Sequence, residues 1–170
     1  LHHGNGTQDI LCRGRSPNYQ FISLHAHDTF PYTGQPDPSL HPYVVNLPLA
    51  TPITPAKLRR AWSDMDEAIE RFRPECILVS AGFDAHRNDP IGCCSSSPDD
   101  DSTSSNAMGR LSAEDYGDAM ARLVNLAGRF CASRLVAVME GGYCLVGHHQ
   151  QQQRQALTAA ALAACARGAD

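Results

Sequence analysis

Charge is scarce in this chain. Asp, Glu, Lys and Arg make up 19% of its 170 residues, too few for a disordered polyelectrolyte or a long solvated helix. Basic residues are outnumbered, 14 against 18 acidic, and with the eight His counted neutral the net charge is −4. That leaves no global positive field to hold nucleic-acid phosphates. No uninterrupted apolar run approaches the ~20 residues that span a bilayer. There is no CxxC, and the seven Cys (12, 76, 93, 94, 131, 144 and 165) are odd in number and irregular in spacing. Such spacing fits neither a zinc knuckle nor a disulfide framework. Cys76 and Cys131 lie in or beside apolar segments and read as buried thiols of a reducing compartment. The start at Leu1 lacks the order of a signal peptide, and a dense motif at the first residue suggests a chain that begins inside a larger unit. What these absences leave is one soluble domain, of a length that a single core commonly serves.

Period and punctuation predict alternating strands and helices. Residues 21–25 and 43–47 read as strands, the second bounded by Pro42 and Pro48. Thr54 then Pro55 has the form of an N-cap and a first helical position. Behind them Leu58, Trp62, Met65, Ile69 and Phe72 recur at steps of four and three, one face of a helix that Pro74 ends. Residues 76–80 and 135–139 are continuous apolar runs, expected as strands buried on both faces. Between them Ser112 caps a second helix marked by Tyr116, Met120, Leu123, Ala127 and Phe130. This order predicts an α/β fold with a parallel sheet and crossover helices. The Ser/Asp tract at 95–106 reads as a solvated, disordered insertion, and 148–170 as a polar loop followed by a C-terminal helix.

Ligands of open α/β sheets gather outside the carboxyl ends of the strands, and three stretches stand there or beside it. His2-His3-Gly4-Asn5-Gly6-Thr7-Gln8 is the first; its alternating glycines argue against regular helix and for a tight turn or close backbone approach. A His pair alone is more often a hydrogen-bonded structural feature. The second, AGFDAHRNDP at 81–90, directly follows the run 76–80. Asp84 within it stands where a carboxylate is costly unless it meets a metal or a donor. An Asx turn is the alternative, and Asp89 before Pro90 reads as the turn residue. The third is Glu140-Gly141-Gly142-Tyr143, whose phenol can hold an oxyanion or simply anchor a loop.

In this order and at these separations, HHGNGTQ, SLH, VSAGFDAHxxDP and EGGY resemble the zinc-dependent histone deacetylase family, with its acetylpolyamine amidohydrolases and acetoin-utilisation proteins. The resemblance runs from Leu1 to Tyr143. Asn5, Phe83 and Glu140 look like class II, and Tyr143 resembles the fully active members of that class. It implies a three-layer parallel-sheet arginase/deacetylase-like fold, truncated at the N-terminus, with residues 1–170 as a partial catalytic domain. The implied activity is protein lysine deacetylation by metal-activated water. The alternatives are an acetylpolyamine-type amidohydrolase and an inactive remnant that serves as a binding module.

Residue by residue, the resemblance implies His2 and Asp84 as ligands of one catalytic Zn2+, and Tyr143 as the donor to the substrate carbonyl. It implies Phe30, Gly142 and Ile91 as the lining of an acyl-lysine tunnel, and Ser23, Leu24 and Tyr43 as contacts of structural K+. The third zinc ligand, an Asp, and the general acid–base His pair would fall ahead of Leu1, so these residues alone are expected to be inactive. The implied partner is acetylated lysine on a histone or another protein, with a role in chromatin regulation in nucleus or cytoplasm. No direct nucleic-acid or membrane contact is expected, and oligomeric state is not legible. The proline-rich stretch 35–41 and the tract 95–106 depart from the family pattern and bear on the tunnel rim.

Overall fold

The computed structural model describes residues 1–14, 16–91 and 109–143. In chain order they form α1 (Asn5–Gly14), β1 (Phe21–Ala26), β2 (Val44–Leu49), α2 (Pro55–Phe72), β3 (Ile77–Ala81), α3 (Ala113–Phe130) and β4 (Leu135–Met139). The expected insertion at 95–106 and the tail at 148–170 lie outside the described residues. Among the described residues, no helix is long and apolar enough to cross a membrane.

Both strand pairs are parallel. Phe21 of β1 lies opposite Val44 of β2, and Ile77 of β3 opposite Leu135 of β4. The described strands form two such pairs, and single bridges from Ile53 to Gly109 and from His86 to Leu111 tie flanking segments to the approach of α3.

The helices start and stop for local reasons. Thr54 is extended, its hydroxyl accepts from the Lys57 N–H at 3.3 Å, and Pro55 follows at the first helical position. α2 ends where Arg73 turns left-handed, φ 53°, ahead of Pro74. Ser112 and Asp115 form a reciprocal capping box at the head of α3. The buried stripe of α2 (Leu58, Ala61, Trp62, Met65, Ile69) meets Leu126 of α3, Ala26 and Leu49 of the first strand pair, and the fully buried Ile53 and Leu111. Burying one such side chain contributes about 1.5–3 kcal/mol, so this cluster is the principal stabilising feature. Arg122 clasps Asp66 across the helix pair, with Nε 2.9 Å from Oδ1, and lies over the Trp62 ring. A Cβ at Gly109 would stand 2.3 Å from the Ala85 carbonyl oxygen, so only glycine allows those two backbones to meet.

Several expectations are corrected. α1 begins at Asn5, inside the glycine-bracketed motif read as non-helical. Gly4 stays outside it, and Gly6 falls in the first turn, where its cost of roughly 1 kcal/mol is offset by the helix-competent residues behind it. β2 continues through Pro48 instead of stopping before it. Tyr43 and Leu49 turn their carbonyls to β1, accepting from Phe21 and His27, so by alternation the missing N–H of Pro48 faces the other way.

β3 and β4 are not buried on both faces: Leu78 is 76% exposed, and β4 is exposed from Val136 to Met139. Apolar composition states what a strand can bury, whereas burial depends on which layers the described residues supply. Cys131 is buried, but Cys76 precedes β3 and is exposed.

Candidate active site

The three motif stretches converge where the strands end. Beyond β3 and β4 the chains stay paired: Glu140 N–H donates to the Ala81 carbonyl at 3.0 Å, and Phe83 N–H to that of Gly141 at 2.7 Å. At the end of β1, Ala26 N–H donates to the Leu1 carbonyl at 3.0 Å, which carries His2 to the same place. His2 Nδ1 lies 2.7 Å from Asp84 Oδ2, and the Leu1 backbone nitrogen donates to Oδ1 of the same carboxylate. Two residues 82 apart in sequence thus share one point.

Asp84 is buried among these partners. Burial alone would raise its pKa; hydrogen bonds from His2 and from the Leu1 nitrogen outweigh that and hold it below the usual carboxylate range. The carboxylate is therefore ionised throughout the physiological range. It raises the pKa of the nearby Tyr116 phenol, which burial has already pushed far up. Gly141 keeps space over the carboxylate: a Cβ there would sit 2.7 Å from Asp84 Oδ2 and 3.4 Å from the Tyr143 hydroxyl oxygen. Carboxylate and phenol therefore face the same side of a glycine that nothing larger could replace without displacing one of them.

The other residues expected to line the tunnel are placed as follows. Phe30 is exposed, its ring edge-on to His2 with centroids 6.3 Å apart. Gly142 has φ 138°, a conformation side chains disfavour, and a Cβ there would come within 3.1 Å of Phe83 Cβ. Ile91 and Tyr143 are both about half exposed and are tied to one residue, Asp89. Its Oδ1 accepts from the Ile91 N–H at 2.9 Å and its Oδ2 from the Tyr143 N–H at 2.6 Å. Asp89, read from sequence as a turn residue, does turn the chain, but it is fully buried and also clamps the loop that carries Tyr143. Local spacing signals the turn and gives no hint of the long-range bond.

Ser23, Leu24 and Tyr43 lie elsewhere along the first strand pair. Ser23 is buried with its hydroxyl 3.0 Å from His25 Nδ1, and Leu24 packs against the core opposite Leu47. Tyr43 sits before the start of β2, its ring against His41 and Phe72. The residues that sequence reasoning passed over are His3 and His25, both buried, with ring centroids 4.7 Å apart. Burial first, and the neighbouring His3 second, hold the His25 pKa below its ordinary value.

An imidazole nitrogen and an ionised carboxylate oxygen that face each other fit part of a zinc donor set. Gly141 leaves the approach to them open. Among the described residues, no third His, Cys, Asp or Glu joins the pair to make a three-donor group.

Residues 1–160 match the family described as the histone deacetylase domain. The chain is 33% identical over 151 residues to a probable deacetylase of Archaeoglobus fulgidus, a match covering 86% of this chain and 37% of that protein. It is 33% identical over 150 residues to a histone deacetylase-like amidohydrolase of Pseudomonas aeruginosa, covering 84% of this chain and 35% of the relative. The crystal structure of the HDA15 HD domain superposes with a TM-score of 0.73 at 26% identity, over 96% of this chain and 43% of that one. The chain thus spans little more than a third of the two relatives' length.

Proposed function

We propose, on the premise that this chain belongs to the histone deacetylase family, that it supplies the metal-facing and substrate-facing part of a hydrolase site for acetylated lysine on proteins. Family membership makes it a deacetylase-type hydrolase by descent; the lysine substrate and the zinc chemistry are our reading. The observation that carries it is the 2.7 Å approach of His2 Nδ1 to Asp84 Oδ2 beside a Tyr hydroxyl and an exposed aromatic ring.

His2 and Asp84 would hold the zinc. Bound there, zinc supplies Lewis acidity and lowers the pKa of water it coordinates. Asp84, kept ionised by its neighbours, serves as a charged donor and not as a proton source. The Tyr143 hydroxyl, on the same side of Gly141, donates a hydrogen bond to the substrate carbonyl as negative charge develops on its oxygen. Exposed Phe30 is proposed as an apolar wall of the substrate slot, and Gly142 and Ile91 as the rest of its lining. Such a slot suits a four-carbon stem whose charge acetylation has removed, since a charged amine would lose its hydration on entering. Ser23, Leu24 and Tyr43 are proposed as contacts of a structural K+, and nucleus or cytoplasm as the place of action.

The test is zinc content and chelator-sensitive hydrolysis by the gene product that carries these residues, with His2→Ala and Asp84→Asn beside it. Both variants should lose zinc and activity together. Full activity in either one defeats the assignment. The amidohydrolase name of the Pseudomonas relative favours a second reading, a small acetylated amine as substrate. An acetyl-lysine peptide and an acetylated diamine, compared by kcat/KM, separate the two.

A further inference from the structure

Beneath the candidate site the loop at 29–34 rests on the two buried histidines. We infer that His3 and His25 are positioning residues, an imidazole pair that fixes this loop and thereby holds Phe30 beside His2. Its bearing on catalysis rests on the site reading above; the fixing of the loop rests on geometry alone.

Both nitrogens of each ring are engaged. His3 Nε2 lies 2.9 Å from Gln8 Oε1, which also accepts from Asn46 Nδ2 at 2.8 Å, and His3 Nδ1 lies 2.7 Å from Thr33 Oγ1. His25 Nε2 lies 3.1 Å from the Gly34 carbonyl oxygen, and its Nδ1 lies 3.0 Å from Ser23 Oγ. An amide oxygen only accepts, so Nε2 carries a proton on both rings; the Thr33 hydroxyl donates to His3 Nδ1, while His25 Nδ1 also faces the Ser23 carbonyl oxygen at 3.2 Å. Consecutive loop residues therefore meet the pair with opposite polarity, Thr33 as donor and Gly34 as acceptor. A slip of one residue would take the Thr33 hydroxyl away from His3.

Gly34 completes the fit. Its φ is 87°, and a Cβ there would stand 2.5 Å from His25 Nε2 and 2.7 Å from His3 Cδ2, so only glycine brings the loop this close. At the other end Thr29 Oγ1 donates to the Ala26 carbonyl at 3.2 Å, and Tyr32 N–H donates to the Thr29 carbonyl at 2.6 Å. Between these anchors Phe30 and Tyr32 project outward, 70% and 77% exposed. A loop that displays two aromatic rings to water has no core of its own, and its grip comes from below.

Chymotrypsin reads this directly. The Tyr32–Thr33 bond lies in the loop, and the exposed Tyr19, between α1 and β1, is an internal reference outside it. Thr33→Val removes the donor to His3 with little change in volume. It should raise cleavage after Tyr32, relative to cleavage after Tyr19, by about three- to tenfold, the effect of losing one partly buried hydrogen bond. Thr33→Ser should restore the original ratio. An unchanged ratio in Thr33→Val overturns the proposal, and so does an equal rise at both sites, which would mark a general loss of stability. Zinc titration of the same proteins is read separately. A gene product that takes up no zinc yet shows the raised ratio defeats the site reading and leaves the positioning role supported.

Discussion

Asp89 and Tyr143 are joined across 54 positions of sequence by one bond, from the Tyr143 backbone N–H to the buried Asp89 carboxylate, 2.6 Å long. The other oxygen of that carboxylate takes the Ile91 N–H, so a single side chain sets the spacing of two loops at the rim. Asp89→Ala leaves two backbone donors without this acceptor. Each such loss commonly costs about 1–3 kcal/mol where the group stays buried. The expected result is a lower urea midpoint with an unchanged slope, together with reduced turnover in the gene product because Tyr143 is no longer held. An Ala variant of unchanged midpoint would remove Asp89 from the architecture of the site.

Tyr143→Phe removes only the hydroxyl that faces the Asp84 side of Gly141. If that hydroxyl stabilises developing charge, kcat in the gene product should fall about 10²–10³-fold while KM changes little. Steady-state kinetics on an acetyl-lysine peptide decide it. Equal turnover in the Phe variant would leave Tyr143 as a loop anchor and no more.

Stability should fall as pH drops below about 6.5. His25 has a folded pKa below its ordinary value of 6.5, through burial and then through His3. The unfolded chain therefore takes up its proton first, and the contribution, complete above that value, is lost progressively toward the lowered folded pKa. Asp84 acts in a separate window: its contribution is complete above its usual carboxylate range and is lost only as pH falls through that range toward its lowered folded pKa. Thermal unfolding between pH 7.5 and pH 5.5 should show the decline, and His25→Gln should flatten it. An equal slope in that variant would assign the decline to other groups.

The 170-residue polypeptide by itself should bind zinc weakly and hydrolyse no acetyl-lysine peptide. Its described residues bring only two donors to the metal position, and a zinc site short of a charged ligand loses both affinity and geometry. Calorimetric zinc titration and a chelator-controlled assay check this. Robust chelator-sensitive hydrolysis would mean that another residue of this chain completes the set.

What was legible in the sequence followed local rules. Thr54-Pro55 and Ser112 mark helix starts because capping is a matter of three or four neighbouring residues. The stripe from Leu58 to Ile69 shows because a helix repeats its buried face every turn. His2 and Asp84 were legible as a pair through the family resemblance, and the strand ends of a parallel sheet are where such distant side chains gather. His25 was not, since its partner Gly34 reaches it through an irregular loop that has no period to read. Nor was the second bond of Asp89, which depends on how two loops lie side by side. The open face of β3 and β4 escaped for the opposite reason: apolar runs look alike whether or not a layer covers them.

Pro48 has a further consequence for the outer edge of the β1–β2 pair. The donors that alternate away from β1 belong to Val44, Asn46 and Pro48, and among the described residues β2 pairs with β1 alone. The Val44 N–H is already bonded to the His41 carbonyl at 2.8 Å, and proline has none. An incoming strand would find one donor where a template for strand addition needs a row. That edge resists recruitment into intermolecular sheets.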